Sequence, residues 1–159
     1  MRTPHSEADN EKILSEPTLE MRVLQRAAEI LGGKRPLARR ASRRILVVED
    51  NLDSVHSLAL LLRDMGHNVE YAINGYAALD IARRLRPEIV FLDLGLPGMD
   101  GFEVCRRIKQ EPGLETVRVI AISGYAQDEY RHRSQAAGCE LHLVKPVSPQ
   151  FLVSLLGSS

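Results

Sequence analysis

The chain has 159 residues, enough for one domain with a full hydrophobic core and some added length. Lys+Arg and Asp+Glu number 21 each, so the zero net charge excludes any argument from bulk charge toward nucleic acid or membrane. The charge is split along the chain: residues 1–44 carry ten basic and six acidic residues and residues 45–159 eleven and fifteen, a basic arm before an acidic body.

Residues 1–16 are polar and aperiodic and read as a disordered start without the apolar h-region of a signal peptide. From Pro17 onward Leu19, Val23, Leu24, Ala27, Ile30 and Leu31 fall at helical spacing, predicting an amphipathic helix over about 17–33 with Thr18 as N-cap and Gly32-Gly33 as its stop. The Lys/Arg-dense "KRPLARRASRR" then reads as a solvated linker.

From Arg44 the chain alternates. "RILVVED" predicts a strand, "SVHSLALLLRDMG" a helix stopped by Gly66, "NVEYAI" a strand and "GYAALDIARRLRP" a helix closed at Pro87. "EIVFLD" predicts a strand, "GFEVCRRIKQE" a helix, "TVRVIAIS" a strand, and "QDEYRHRSQAAG" a helix ending at Gly138. "CELHLVK" is the fifth strand and "SPQFLVSLL" the last helix, with Ser148 as N-cap and Pro149 in its first turn. Asp53 and Asp100 are expected to cap the first and third of these helices. Five apolar strands alternating with helices predict an open, doubly wound parallel α/β sheet of flavodoxin-like order 2-1-3-4-5, preceded by an N-terminal extension. Ligands of such sheets bind beyond the carboxyl ends of the strands, at the switch point.

The strand ends are polar. Strand one runs into Glu49-Asp50, strand three into Asp93, strand four into Ser123, and strand five into Lys145. Carboxylates gathered at one rim repel one another unless a positive group neutralises them. With no His or Cys at these ends, the donor set favours Mg²⁺, which takes one or two carboxylates and leaves positions for a phosphate oxygen. A carboxylate can itself be the nucleophile of phosphoryl transfer. Asp93, on the central strand and followed by a Gly/Pro turn, is the natural acceptor, with Lys145 as counter-charge and Ser123 as hydroxyl donor.

The "VVEDN" acidic pair, "FLDLGLPGMDG" around Asp93, "AISGYA" around Ser123 and "LVKP" resemble the receiver domain of two-component response regulators. The spacings of 30 from Asp93 to Ser123 and 22 from Ser123 to Lys145 resemble that family too, over residues 44–157. The resemblance implies a receiver domain at 44–159 after an extension at 1–43. It implies phosphoryl transfer to Asp93 from a sensor histidine kinase or a histidine phosphotransfer protein. Mg²⁺ would be held by Glu49, Asp50, Asp93 and the Gly95 backbone carbonyl, Ser123 would swing toward the phosphoryl group, and Lys145 would pair with it. The Lys145–Pro146 peptide is often cis in the family. The fourth and fifth helices with the fifth strand would form the surface that docks a partner or a second copy.

The sequence departs from that pattern at His142, three residues before Lys145, where receivers carry Tyr or Phe. Ser123 and His142 are therefore the switch candidates, and an ordinary surface histidine is the alternative reading of His142. Tyr125 is expected as a partly exposed loop residue, His56, His67 and His132 as surface residues, and Cys105 as inert packing on a helix face. Cys105 and Cys139 lack a C-x-x-C spacing, which argues against zinc and for free thiols in a reducing compartment. No segment offers the roughly 18 apolar residues of a membrane helix, so a cytoplasmic protein without membrane partners is expected.

Three rivals bear on function. A haloacid-dehalogenase-type phosphatase carries D-x-D, but the second acid is replaced here by Gly95, which argues against a turnover enzyme. A flavin or nucleotide protein needs a phosphate loop after strand one, where "EDNLDS" places acids. A transcription regulator needs a DNA-binding unit; only fourteen residues follow Lys145, and "LQRAAEILGGKRPLARR" resembles a helix-turn-helix cut short before its recognition helix. Nucleic acid is therefore not the expected partner.

Overall fold

The three central strands are built on unbroken apolar runs, Ile45–Val48, Ile89–Leu92 and Val119–Ile122, whereas the edge strands carry Glu70 and His142 in their interior. The structure is a computed structural model and describes residues 41–157, so the predicted helix at 17–33 and all but the end of the basic linker lie outside the described residues. The elements are β1 (Arg44–Val48), α1 (Leu52–Asp64), β2 (Asn68–Ala72), α2 (Gly75–Leu85), β3 (Ile89–Asp93), α3 (Gly101–Gln110), β4 (Arg118–Ser123), α4 (Asp128–Ala137), β5 (Leu141–Val144) and α5 (Pro149–Gly157).

The five strands form one parallel sheet in the order β2-β1-β3-β4-β5, as the alternation predicted. Successive side chains of a strand point to opposite faces, and the core divides accordingly. Leu46, Val48, Val90, Leu92, Val119 and Ala121 face α2 and α3 in one cluster, which also takes in Cys105 and Cys139. Ile45, Val47, Ile89, Phe91, Ile120 and Ile122 face the other way, onto Val55, Leu62, Leu152 and Leu156 of α1 and α5. Each fully buried side chain of this size contributes on the order of 1.5–3 kcal/mol, so neither helical layer can be lost without the sheet. The edge strands β2 and β5 are less buried than β1, β3 and β4.

Helix starts follow the sequence with one correction. Asp100 accepts from the Glu103 N–H and Ser148 from the Phe151 N–H. The cap of α1 is Asn51, not Asp53: the Asn51 side chain accepts from the Ser54 N–H at 2.9 Å. Asp53 instead sits inside the first turn, where its charge favours the helix dipole. Gly138 closes α4 at φ 102°, a left-handed conformation that glycine adopts without a Cβ penalty.

Strand order reverses between β1 and β3, so their carboxyl ends stand side by side at the switch point. Hydrogen bonds carry the ladder past the strand ends: Glu49 N–H donates to Ala72 O, Leu94 N–H to Ile122 O and Lys145 N–H to Ser123 O at 2.8–3.1 Å. The polar residues at the rim are thus fixed by the sheet itself. The loop after β3 is held close by Gly101, where a Cβ would lie 2.6 Å from Leu94 Cα and 2.7 Å from the Asp93 carbonyl oxygen.

Backbone cannot yield to a methyl group as a side-chain tip can. Gly101→Ala is expected to lower the unfolding free energy by about 1–3 kcal/mol, the usual range for overpacking. Gly124→Ala, where a Cβ meets nothing within 4 Å, should leave it unchanged or slightly higher. Urea denaturation of the two variants against wild type measures the contrast.

Candidate functional site

Lys145 joins the two central carboxylates. Its Nζ lies 2.7 Å from Glu49 Oε2 and 2.9 Å from Asp93 Oδ2, across 96 and 52 residues of sequence. The second oxygen of each carboxylate takes a backbone donor. Asn51 N–H donates to Glu49 Oε1 at 3.2 Å, and Gly95 N–H donates to Asp93 Oδ1 at 2.8 Å. Each acid is therefore oriented by the turn that follows its own strand and by the same ammonium group. These two backbone donors are local, two residues beyond the acid, yet nothing in the residue types announces them.

The electrostatics follow from burial. Glu49 and Asp93 are buried at 8% and 7% exposure, whereas Asp50 is exposed. Desolvation is the main cause that raises the Glu49 pKa above the ordinary carboxylate range; Lys145 and the Asn51 N–H oppose the rise and Asp93 adds to it. Burial pulls the Lys145 pKa down, but the bonds to Glu49 and Asp93 outweigh it and hold the ammonium above its usual value. A cleft of about 270 Å³ opens beside these groups, walled by apolar side chains such as Leu58, Leu61 and Leu152. Its low-polarity wall weakens solvent screening on that side of the rim.

Glu49, Asp50 and Asp93 each offer an oxygen, and these atoms lie within 4.8 Å of one another. This all-oxygen donor set fits a hard divalent cation and can hold a metal ion. Gly95 is exposed, and a Cβ on it would meet Asp93 Oδ1 at 3.4 Å, so no side chain screens Asp93 from that direction.

Ser123 ends β4 at the same rim, 1% exposed, with its hydroxyl directed into a second network. The Oγ has one hydrogen to give, either to Tyr125 O at 3.0 Å or to His142 Nε2 at 2.8 Å, and it accepts from Tyr125 N–H at 3.2 Å. His142 is half-buried on β5, and its Nδ1 lies 3.4 Å from Ser134 Oγ of α4. It is thus not an ordinary surface histidine, and Ser134 is a residue that sequence reasoning missed, for this contact joins separate elements with no local pattern. His67 is a second correction: it is buried at 8% exposure and accepts from the Arg43 N–H at 3.2 Å. His56, His132 and Tyr125 are exposed as expected, Tyr125 stacking on Tyr130 at 4.9 Å between ring centroids. Cys105 is buried on α3, 3.3 Å from the Cys139 thiol. The Lys145–Pro146 peptide is cis.

Fold and site together define a flavodoxin-like α/β domain with a lysine-bridged acidic rim at its switch point. The family model described as the response regulator receiver domain matches residues 45–156. The polar-differentiation response regulator DivK of Brucella anthropi is 32% identical over 112 residues, covering 70% of this chain and 91% of the relative. The chemotaxis protein CheY4 of Vibrio cholerae superposes with a TM-score of 0.70 at 26% identity, over 74% of this chain and 98% of that one. The receiver domain of sensor histidine kinase PA1611 from Pseudomonas aeruginosa, with a magnesium ion coordinated in its active-site cleft, gives 0.67 at 30% identity, over 73% and 95% of the two chains. The chain belongs to the response-regulator receiver family, the phosphorylated signalling domains of two-component systems. Such domains are signalling proteins rather than turnover enzymes. Among the described residues, no helix is long and apolar enough to cross a membrane.

If the rim holds a divalent cation, the ion relieves the repulsion that burial concentrates on Glu49 and Asp93, and binding stabilises the folded state by mass action. MgCl₂ should raise the thermal midpoint of the wild type over its value in EDTA. Glu49→Gln and Asp50→Asn should each shrink that rise, and equal rises in all three proteins would show that the rim does not hold the ion.

Proposed function

We propose that Asp93 is the phosphoacceptor of this receiver domain, taking its phosphoryl group from a phosphohistidine on a sensor histidine kinase or a histidine phosphotransfer protein. An Asp93 carboxylate oxygen attacks phosphorus, the bond from phosphorus to the donor imidazole nitrogen breaks, and that nitrogen keeps the electron pair. The observation that carries this reading is the single ammonium group of Lys145 shared by Glu49 and Asp93, with a third acid, Asp50, within reach of the same cation position.

Mg²⁺ fits this donor set, with Glu49, Asp50, Asp93 and the Gly95 carbonyl as its ligands, and supplies neutralisation of the phosphoryl oxygens. Lys145 already faces Asp93 and needs only to keep its contact as the carboxylate becomes a mixed anhydride. Ser123 lies at the neighbouring strand end and donates its hydroxyl to a phosphoryl oxygen once it turns from its present partners. Phosphorylation adds about −1.5 to −2 charges at the rim, and Ser123 with His142 carries that change to the α4–β5–α5 side. That side, with its half-buried edge strand β5, is the surface we assign to partner docking or to a homodimer. Residues 44–159 act as the receiver unit and residues 1–43 as an extension separate from it, in the cytoplasm and without nucleic acid as partner.

Acetyl phosphate with Mg²⁺ should add one labile phosphoryl mass to the wild type. Intact-mass measurement should find none of it in Asp93→Asn, nor in wild type with EDTA. Equal labelling of Asp93→Asn and wild type would move the acceptor to another residue.

A further inference from the structure

We propose that His142 is a positioning residue for Ser123, a polar latch that engages the hydroxyl and must be broken before that hydroxyl can reach a phosphoryl group on Asp93. The inference rests on Asp93 being the phosphoacceptor and adds to it a regulatory contact made by the ring nitrogens that this chain has at 142 in place of a Tyr or Phe ring.

The hydrogen count argues for the latch. The Ser134 hydroxyl donates to Arg131 O at 2.9 Å, so only its lone pairs face His142 Nδ1 at 3.4 Å. That leaves Nδ1 as the protonated nitrogen and Nε2 as a bare acceptor, an assignment made from the network rather than from observed hydrogens. Burial, with the Arg131 charge on α4 beside it, lowers the His142 pKa below the usual imidazole value, which favours the neutral ring. The shorter contact decides for each hydroxyl: Ser134 is nearer Arg131 O, at 2.9 against 3.4 Å, whereas Ser123 is nearer Nε2, at 2.8 Å against 3.0 Å to Tyr125 O, so Nε2 competes with that carbonyl for the single Ser123 hydrogen.

Neither acceptor belongs to the acid cluster, and each competes with that cluster's phosphoryl group for the one Ser123 hydrogen. A hydroxyl that turns to a phosphoryl oxygen leaves Nε2 of a half-buried ring without its donor, and an unpaired polar group in that setting is costly. Ser134, itself 1% exposed, braces the ring from α4 and keeps it from following the hydroxyl. A phenyl ring at 142 makes no such bond and puts no such resistance in the way.

The test uses the full chain and beryllofluoride with Mg²⁺, a stable mimic of the phosphoryl group, with affinity read by calorimetry. His142→Phe should tighten binding by about three- to tenfold, the loss of one hydrogen bond that opposes the bound state. His142→Gln, whose amide can reach Ser123 in place of Nε2, should stay near wild type. Ser134→Ala should move binding in the same direction as His142→Phe by less. In a Ser123→Ala background the effect of His142→Phe should vanish, which no merely structural role of the ring would produce. Undiminished tightening in that background, or no tightening at all, overturns the latch while Asp93 stands, provided wild type binds and Asp93→Asn does not. If wild type neither binds beryllofluoride nor takes label from acetyl phosphate, the acceptor reading fails and the latch fails with it.

Discussion

One ammonium group between two buried carboxylates is the constraint that organises this rim. Glu49 and Asp93 come from adjacent parallel strands and point at the same place. Burial at 8% and 7% exposure removes the water that would otherwise separate their charges. Lys145 reaches both from the turn after β5, two strands away from β3 in the sheet. The distances hold only if β1, β3, β4 and β5 keep register, because each of these side chains is anchored by a ladder bond at or just beyond its strand end. The fold is thus a frame for three charges, and the charges in turn reward one register of the frame.

Much of that frame is legible in the residues. Strands buried on both faces read as unbroken apolar runs, and "ILVV" in β1 and "IVFL" in β3 are such runs. The acids that end them stand out because nothing else in those runs is polar. Edges were harder to place: the first helix starts at Leu52, two residues before the segment that apolar periodicity marks, because Asn51 supplies the cap. Asp53 is as good a cap by residue type, and only the backbone direction, which brings the Asn51 side chain onto the Ser54 N–H, decides between them. His67 was misjudged for a related reason, and the same reason left a surface alternative open for His142. A lone histidine carries no periodic signal, and its burial depends on neighbours that are distant in sequence: Arg43 for one, Ser123 and Ser134 for the other.

The two sides of the rim differ in how they are held. On the β1–β3 side, Glu49 and Asp93 are each gripped twice, by a backbone N–H two residues on and by Lys145. Backbone donors cannot rotate away, so the Asn51 and Gly95 N–H groups are preorganised for charge. On the β4–β5 side the partners are hydroxyls and an imidazole, groups that turn about single bonds. If Asp93 is the phosphoacceptor as proposed, the charge would enter on the backbone-held side and the groups free to reorient would be those on the other.

Ser123 is where the two sides meet, and its hydroxyl has one hydrogen to give. That hydrogen cannot serve an imidazole nitrogen, a backbone carbonyl and an anion at Asp93 together, so the outcome is set by competition among acceptors rather than by steric fit. A new anion is the strongest acceptor of the three, since hydrogen bonds to charged groups are worth about 1.5–3 kcal/mol against about 0.5–1.5 for neutral ones. The margin is small enough that the neutral partners decide how far the balance tips. On the proposed latch, the side chain at 142 would therefore be part of the chemistry of the switch and not only of its shape.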